Sequence, residues 1–360
     1  MGQNAPGYTL DYLPPQRDKV ETIEILRQTS RAAAALAELK GIAKTIPNQA
    51  MLINAVVLQE AKDSSEIENI ITTQDELYKA LIIHQSTVTS DTREVVNYRK
   101  AIFHGYDFIK AQGFLRINDI LSIQQQLVNN TAGIRSMPGT VLKNDTTGEV
   151  VYTPPQDKGE ILDLLSNFIT HFNQNEQDLS PLINLAILHY QFESIHPFYD
   201  GNGRTGRILN ILYLILNNLI EVPILYLSSY ITENKPEYYR LLNHTNRTGE
   251  WEEWIVFMLK AVEKTSLKTI AKINSIRELL DLTIEEVQQK APKVYKKELV
   301  ELLFEMPYSK IELVVNRLQV ERKAASRYLR ELESIGILES QRVGRETLYI
   351  NRRLIEILKK

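Results

Sequence analysis

The chain has 360 residues, 43% of them apolar and 24% charged, with a formal net charge of −3 and no cysteine. That length and composition suit two or three folded domains. The small net charge excludes a bulk attraction to nucleic acid or membrane, and the absence of thiols excludes disulfides, a thiolate nucleophile and Cys-ligated zinc. A cysteine-free chain suits a reducing compartment, and residues 1–16 lack the basic patch and apolar run of a signal peptide, so the expected location is cytoplasmic.

Apolar residues recur every three to four positions over Val20–Leu39, about Gln49–Asn69, Glu94–Ala111 and Asn118–Val128, which predicts four helices. Gly133–Pro155 differs. Its glycines and prolines flank two β-type runs, Thr140–Leu142 and Val150–Tyr152, and predict a hairpin with its turn near Asn144–Gly148. Helical spacing resumes at about Asp157 and continues through Ile195. The most apolar stretch, Ile208–Leu227, is broken by Asn210, Asn217, Asn218, Glu221 and Pro223, so a buried helix, a turn and a following segment are expected rather than a membrane span.

Composition shifts near Ala291–Pro292. Residues 292–360 carry 15 Lys+Arg against 10 Asp+Glu, a net of +5, while the preceding residues carry a net of −8. The tail's order is three helices (Val294–Phe304, Ser309–Leu318, Arg322–Ile335) and two β-type runs (Ile337–Gln341, Glu346–Ile350) around Gly344. That is the pattern of a winged helix. The expected fold is mainly α, with a small hairpin and a winged-helix tail.

The densest chemical signal is His196-Pro197-Phe198-Tyr199-Asp200-Gly201-Asn202-Gly203-Arg204-Thr205-Gly206-Arg207. Pro197 and the glycines interrupt one helical segment, and apolar spacing returns at Ile208. A new helix therefore begins near Asn202 or Gly203. Gly201–Gly203 becomes a turn at a helix N-terminus, where backbone N–H groups and the helix dipole favour an anion. Arg204 and Arg207 lie three apart on one face and suit phosphate oxygens. Asp200 could hold Mg²⁺ against the same phosphates. His196 could take a proton from an attacking hydroxyl near neutral pH. Twelve residues thus offer a base, a metal ligand and an anion cradle.

This stretch resembles the Fic family signature, His-x-Phe-x-(Asp/Glu)-Gly-Asn-Gly-Arg-x-x-Arg, and agrees with it at every defined position. The resemblance extends over roughly residues 15–265, and winged-helix tails also occur in that family. It implies a protein adenylyltransferase that moves AMP from ATP to Ser, Thr or Tyr hydroxyls of target proteins, with Mg²⁺ or Mn²⁺. His196 would be the general base and Asp200 the metal ligand. Gly201, Asn202 and Gly203 would form the anion hole, with Thr205 and Gly206 in the same ATP-binding stretch. Arg204 would contact the inner phosphates and Arg207 the γ-phosphate. The hairpin would be the family's flap, pairing Val150, Val151 and Tyr152 with an extended target segment; taken alone, it is equally an ordinary surface hairpin. Tyr238, Tyr239 and Asn246, with Tyr230, fall where family members contact adenine and ribose, although tyrosines so spaced also serve as packing.

Ser64-Ser65-Glu66-Ile67-Glu68-Asn69 is similar to the family's inhibitory pattern, (Ser/Thr)-x-x-x-Glu-(Gly/Asn). Ser64 and Glu68 share a helical face. The resemblance implies that Glu68 forms a paired fork with Arg207 and takes the group the γ-phosphate needs. The expected organisation is an N-terminal helical region with the inhibitory helix (1–115), a Fic core (116–265), a helical linker (266–291) and a winged helix (292–360). Alternatives stay open: removal of AMP from modified proteins, a different donor, or a DNA-binding regulator whose core only senses nucleotide. The basic tail fits DNA or a protein partner. A homodimer is a further expectation from the family, and a membrane partner is not expected.

Overall fold

Short polar side chains open several helices where the apolar spacing begins. Thr22, Asn48, Thr89 and Asp157 each accept a backbone N–H from the first turn that follows. These donors have no partner inside the helix, so each cap is worth about 1 kcal/mol. The protein is represented by a computed structural model that describes residues 10–46, 48–82, 88–143, 148, 150–174 and 178–359. The first part comprises α1 (Arg17–Val20), α2 (Ile23–Ala43), α3 (Gln49–Ile67), α4 (Gln74–Ile82), α5 (Ser90–Gln112) and α6 (Ile117–Val128). A small antiparallel sheet follows, β1 (Leu142–Lys143) and β2 (Val150–Tyr152), with Leu142 opposite Tyr152. The expected hairpin is there, but residues 144–147 and 149 of its turn lie outside the described residues.

The middle of the chain contributes α7 (Lys158–Asn173), α8 (Pro181–Ile195), α9 (Asn202–Leu216), α10 (Ser228–Glu233), α11 (Lys235–Thr248) and α12 (Glu252–Lys290). The expected continuous helix from Asp157 to Ile195 is therefore two, α7 ending at Asn173 and α8 starting at Pro181. Every residue of α8 after Pro181 is buried. A helix apolar on all sides belongs at the centre of a fold. Its partner α9 is buried from Arg204 through Ile215. Around this pair, Phe168 and Phe172 of α7 meet Phe192 and Tyr213 at ring-centroid distances of 5.6 and 5.2 Å. Trp254 of α12 donates its indole N–H to the Ala186 carbonyl at 2.8 Å. α12 runs 39 residues without a break and lies along α2. It crosses residue 265, the expected end of the core, and reaches Lys290.

The C-terminal domain runs α13 (Lys297–Glu305), β3 (Tyr308–Ser309), α14 (Ile311–Leu318), α15 (Arg322–Ser334), β4 (Glu339–Val343), β5 (Glu346–Ile350) and α16 (Arg352–Lys359). Its sheet order is β3–β5–β4, antiparallel throughout, with Tyr308 and Glu339 on either side of Ile350. The order of helices followed by paired strands is the one expected from the sequence. Two corrections apply: Ser309 belongs to a strand rather than a helix, and α16 closes the domain.

Gly105 of α5 lets three helices meet. A Cβ there would come within 2.5 Å of a Leu212 methyl on α9 and 3.0 Å of an Ile123 methyl on α6. We expect Gly105→Val to destabilise the protein by about 1–3 kcal/mol through overpacking. Chemical denaturation of the two proteins side by side checks this.

Candidate active site

The junction of α8 and α9 carries the signature residues. α8 ends at His196, which adopts a left-handed backbone conformation (φ 48°) and so turns the chain sharply. Asn202 closes the following loop: its amide accepts from the Phe198 N–H and donates to the Phe198 carbonyl, both at 2.8 Å. Its side chain is therefore spent on the loop. Gly201, at φ 80°, then feeds the chain into α9. α9 thus begins at Asn202, where the glycine spacing places a helix start.

His196 is held from behind by a residue that no sequence motif singles out. Arg135 is fully buried. Its guanidinium donates to the carbonyls of His196 (2.7 Å) and Ile195 (3.3 Å), and to that of Pro155 at the root of the hairpin. Burial, and then the charge of Arg135, push the imidazole pKa down to about 4. The ring is neutral at pH 7. Nδ1 is shut in without a hydrogen-bond partner of good geometry, close to the Glu193 carbonyl. Nε2 is then the nitrogen left to meet a hydroxyl.

Arg207 is 2% exposed and fully engaged with α3. Nε donates to Ser64 Oγ at 2.7 Å, and Nη2 donates to the Ser64 carbonyl and to Glu68 Oε1, each at 2.9 Å. The expected paired fork is replaced by a single carboxylate contact, because Ser64 already takes Nε and shares Nη2. Glu68 caps the C-terminal end of α3, and Asn69 follows at φ 61°, a conformation that Asn tolerates better than most side chains. Burial raises the Glu68 carboxyl, but Arg207, with smaller help from Arg204 and His196, brings it below the usual range, so it is ionised. A Cβ on Gly203 would lie 2.4 Å from Glu68 Oε1. The carboxylate therefore rests on the first turn of α9, where an anion is favoured.

Arg204 is 3% exposed and is held by Glu94 of α5 at 2.9 Å and Asp200 at 3.3 Å. Glu94 is a second residue that pattern reading missed. Asp200 is 64% exposed and presents one carboxylate beside the cradle. Among the described residues no group of three potential metal ligands occurs. A lone carboxylate still suits Mg²⁺, which is commonly held by one or two carboxylates and the phosphates of a nucleotide.

The remaining candidates separate. Thr205 and Gly206 are buried, and Gly206 faces Glu193 and Phe192 of α8 so closely that a Cβ would sit 2.5 Å from Glu193 Oε1. Tyr238 is buried, with its hydroxyl 2.9 Å from His189 Nε2. Tyr239 is exposed, and Tyr230 packs on Phe257. Asn246 accepts from Tyr190 (2.7 Å) and Ser194 (3.1 Å). In the hairpin, Val150 and Val151 are exposed, whereas the Tyr152 hydroxyl donates to the Ser194 carbonyl at 3.0 Å.

Known families cover most of this architecture. Residues 26–107 match the Fic/DOC family N-terminal domain, residues 114–214 the Fic/DOC family itself, and residues 279–354 the C-terminal domain of SoFic-like protein adenylyltransferases. The chain belongs to the Fic/DOC family. Relatives include the protein adenylyltransferase Fic of Drosophila mojavensis, 27% identical over 154 residues, covering 42% of this chain and 28% of the relative. That of Drosophila grimshawi is 32% identical over 113 residues, covering 31% of this chain and 22% of the relative. The chain spans about a third or less of the length of such curated relatives. Among solved structures, a Fic family protein from Desulfovibrio desulfuricans superposes with a TM-score of 0.59 at 19% identity, over 94% of this chain and 98% of that one. Fic-1 residues 134–508 from C. elegans give a TM-score of 0.55 at 18% identity, over 70% and 74%.

The buried imidazole has a measurable consequence. His196 should stay neutral down to about pH 5 and protonate near pH 4, and histidine NMR titration would show it. The unfolded chain takes up this proton first, near the ordinary value of 6.5. The contribution to stability is therefore lost as pH falls from about 6.5 towards 4. An apparent pKa of 6.5 at this residue would contradict the description of the pocket.

Proposed function

We propose that the protein transfers AMP from ATP to hydroxyl groups of proteins and that Glu68 holds this activity off. The observation that carries the reading is a neutral imidazole beside an anion cradle in which a carboxylate stands against Arg207. In this reading Glu68 Oε1 sits where a terminal phosphate oxygen would be bound.

The chemistry follows from the groups present. The target hydroxyl gives its proton to His196 Nε2 while its oxygen bonds to the α-phosphorus. The bridge to the β-phosphorus breaks and pyrophosphate leaves. Backbone N–H groups of Gly201–Gly203 face the developing charge, and Arg207 takes the γ-phosphate once Glu68 withdraws. Asp200 would hold Mg²⁺, which neutralises phosphate charge when bound. The exposed Val150 and Val151 offer a backbone edge to an extended target segment, which fixes the hydroxyl with little demand on sequence. Little covalent work falls to the protein, so positioning and charge account for most of the acceleration.

Glu68→Gly should raise AMP incorporation at least tenfold, and adding His196→Ala should abolish it. Intact mass after incubation with ATP and Mg²⁺ reads both. A Glu68→Gly protein that binds ATP normally yet stays as silent as wild type would falsify the inhibitory role.

The C-terminal domain supports a separate partner. Arg322, Lys323, Arg327 and Arg330 are exposed on α15, with Arg342 and Arg345 on and beside β4. Among the described residues none of these six forms an ion pair, whereas Lys310, Arg317, Arg352 and Arg353 all do. We infer that this face meets the phosphates of duplex DNA. The full chain should retard a duplex at low salt, with log affinity falling about 0.9 per phosphate contacted for each tenfold rise in salt. Arg327→Glu combined with Arg330→Glu should weaken binding at least tenfold. No retardation of any duplex at low salt rules the surface out.

A further inference from the structure

The C-terminal domain grips the inhibitory segment from outside. Glu305, at the end of α13, accepts from Asn48 Nδ2 with its carboxylate (2.7 Å) and from Asn54 Nδ2 with its backbone carbonyl (3.3 Å). Both asparagines belong to the start of α3. On the other side of the segment, the Tyr308 ring of β3 stacks on Tyr78 of α4, with centroids 5.6 Å apart and planes 20° from parallel. Its hydroxyl donates to Asp75, also on α4. Tyr78 and Tyr308 are both buried. The third point is Gln74, the first residue of α4. Its amide donates to Gln59 Oε1 on α3 at 2.6 Å and to the Leu358 carbonyl of α16 at 3.4 Å. Lys272 of α12 donates to that same carbonyl at 3.2 Å. Gln59 in turn donates to Asp63, the neighbour of Ser64, at 2.7 Å.

Residues 68–73, which include Glu68, are the whole connection between α3 and α4. Both helices are held by the same domain, and Gln74 ties one to the other. For Glu68 to leave Arg207, the last turn of α3 or this connection has to move. We propose that Tyr308 and Gln74 are positioning residues of the brake: docking of the C-terminal domain onto α3 and α4 holds Glu68 against Arg207. This rests on the inhibitory role given to Glu68 above. Neither residue touches the catalytic groups, so both act only through the placement of α3 and α4. The grip is not the sole anchor. Glu60 of α3 also accepts from Tyr98 of α5 at 3.0 Å and from the Ser228 hydroxyl of α10 at 2.6 Å. Loosening the outer contacts therefore weakens the brake without removing it.

The test uses the full chain carrying Gln74→Ala and Tyr308→Phe. Phenylalanine keeps the stack on Tyr78 and loses only the hydroxyl. Two readouts are taken: AMP incorporation by intact mass, and the ratio of ATP to ADP affinity by calorimetry. The second reports access of a γ-phosphate to Arg207 without any turnover. Losing these hydrogen bonds should raise incorporation about three- to tenfold and shift the affinity ratio towards ATP. Neither should change when the pair is added to Glu68→Gly. An unchanged double variant beside a responsive Glu68→Gly overturns the clamp alone. An equal rise in the Glu68→Gly background also overturns it, because the effect would then lie in catalysis. A Glu68→Gly protein as silent as wild type removes the brake and the clamp together. Should the double variant lose its cooperative unfolding transition, Gln74→Ala alone carries the same comparison.

Discussion

A buried guanidinium must always have an anion or an acceptor beside it, and at Arg207 that requirement organises the site. The side chain is 2% exposed, whereas Glu68 is 36% exposed. One end of the pair is locked in the core and the other is open to solvent. A fully exposed pair contributes about 0–1 kcal/mol, while stripping one partner from a buried pair costs about 3–5 kcal/mol. With its open end, this contact falls between those limits, in the range where a bound ligand can exchange with it. Exchange of carboxylate for phosphate also avoids the costly intermediate, since the guanidinium need not stand unpaired. Ser64 matters here in a way its spacing does not suggest. Its hydroxyl and carbonyl hold Arg207 whether or not Glu68 is present. Withdrawal of the glutamate would leave the arginine already aimed.

The same economy of parts links the hairpin to the imidazole. Arg135 bonds the carbonyls of Ile195, His196 and Pro155, so one buried side chain ties the end of α8 to the root of the β1–β2 hairpin. A non-glycine residue at positive φ costs roughly 1–2 kcal/mol and persists only where its surroundings enforce it. At His196 the enforcement comes from Arg135 behind, the Asn202 clasp ahead and the buried α8 below. Any shift of the hairpin root is therefore felt at the base. In the proposed function, a target segment pairing with the hairpin and a hydroxyl meeting Nε2 would be placed by one unit.

The parts of the molecule that were legible in the sequence are those whose cause is local. Gly203 is required because Glu68 presses on its Cα, and Asn69 because the chain leaves α3 through a left-handed turn; both stand in short motifs. The order of elements in the C-terminal domain could be followed because each long element carries its own apolar period. Other features have causes that no window contains. Arg135 lies 61 positions from His196, and Glu94 lies 110 from Arg204. The six-residue α10 and two-residue β3 are too short to show a period. Residue 265 falls inside α12, whose buried positions recur on both sides of it.

The electrostatics of the site also allow the proposed brake and base to share a pocket. Burial and Arg135 push His196 down, while the charge of Glu68 pulls it slightly up. Removing the glutamate takes away that upward pull, so the imidazole stays unprotonated when Arg207 becomes free. An inhibitory group that worked by protonating the base would have to be undone by a proton transfer. In the proposed function Glu68 instead acts on the phosphate clamp and leaves the imidazole unprotonated throughout. Arg204, meanwhile, has Glu94 and Asp200 as its own ion-pair partners. The two arginines of one helical face are thereby given separate anions.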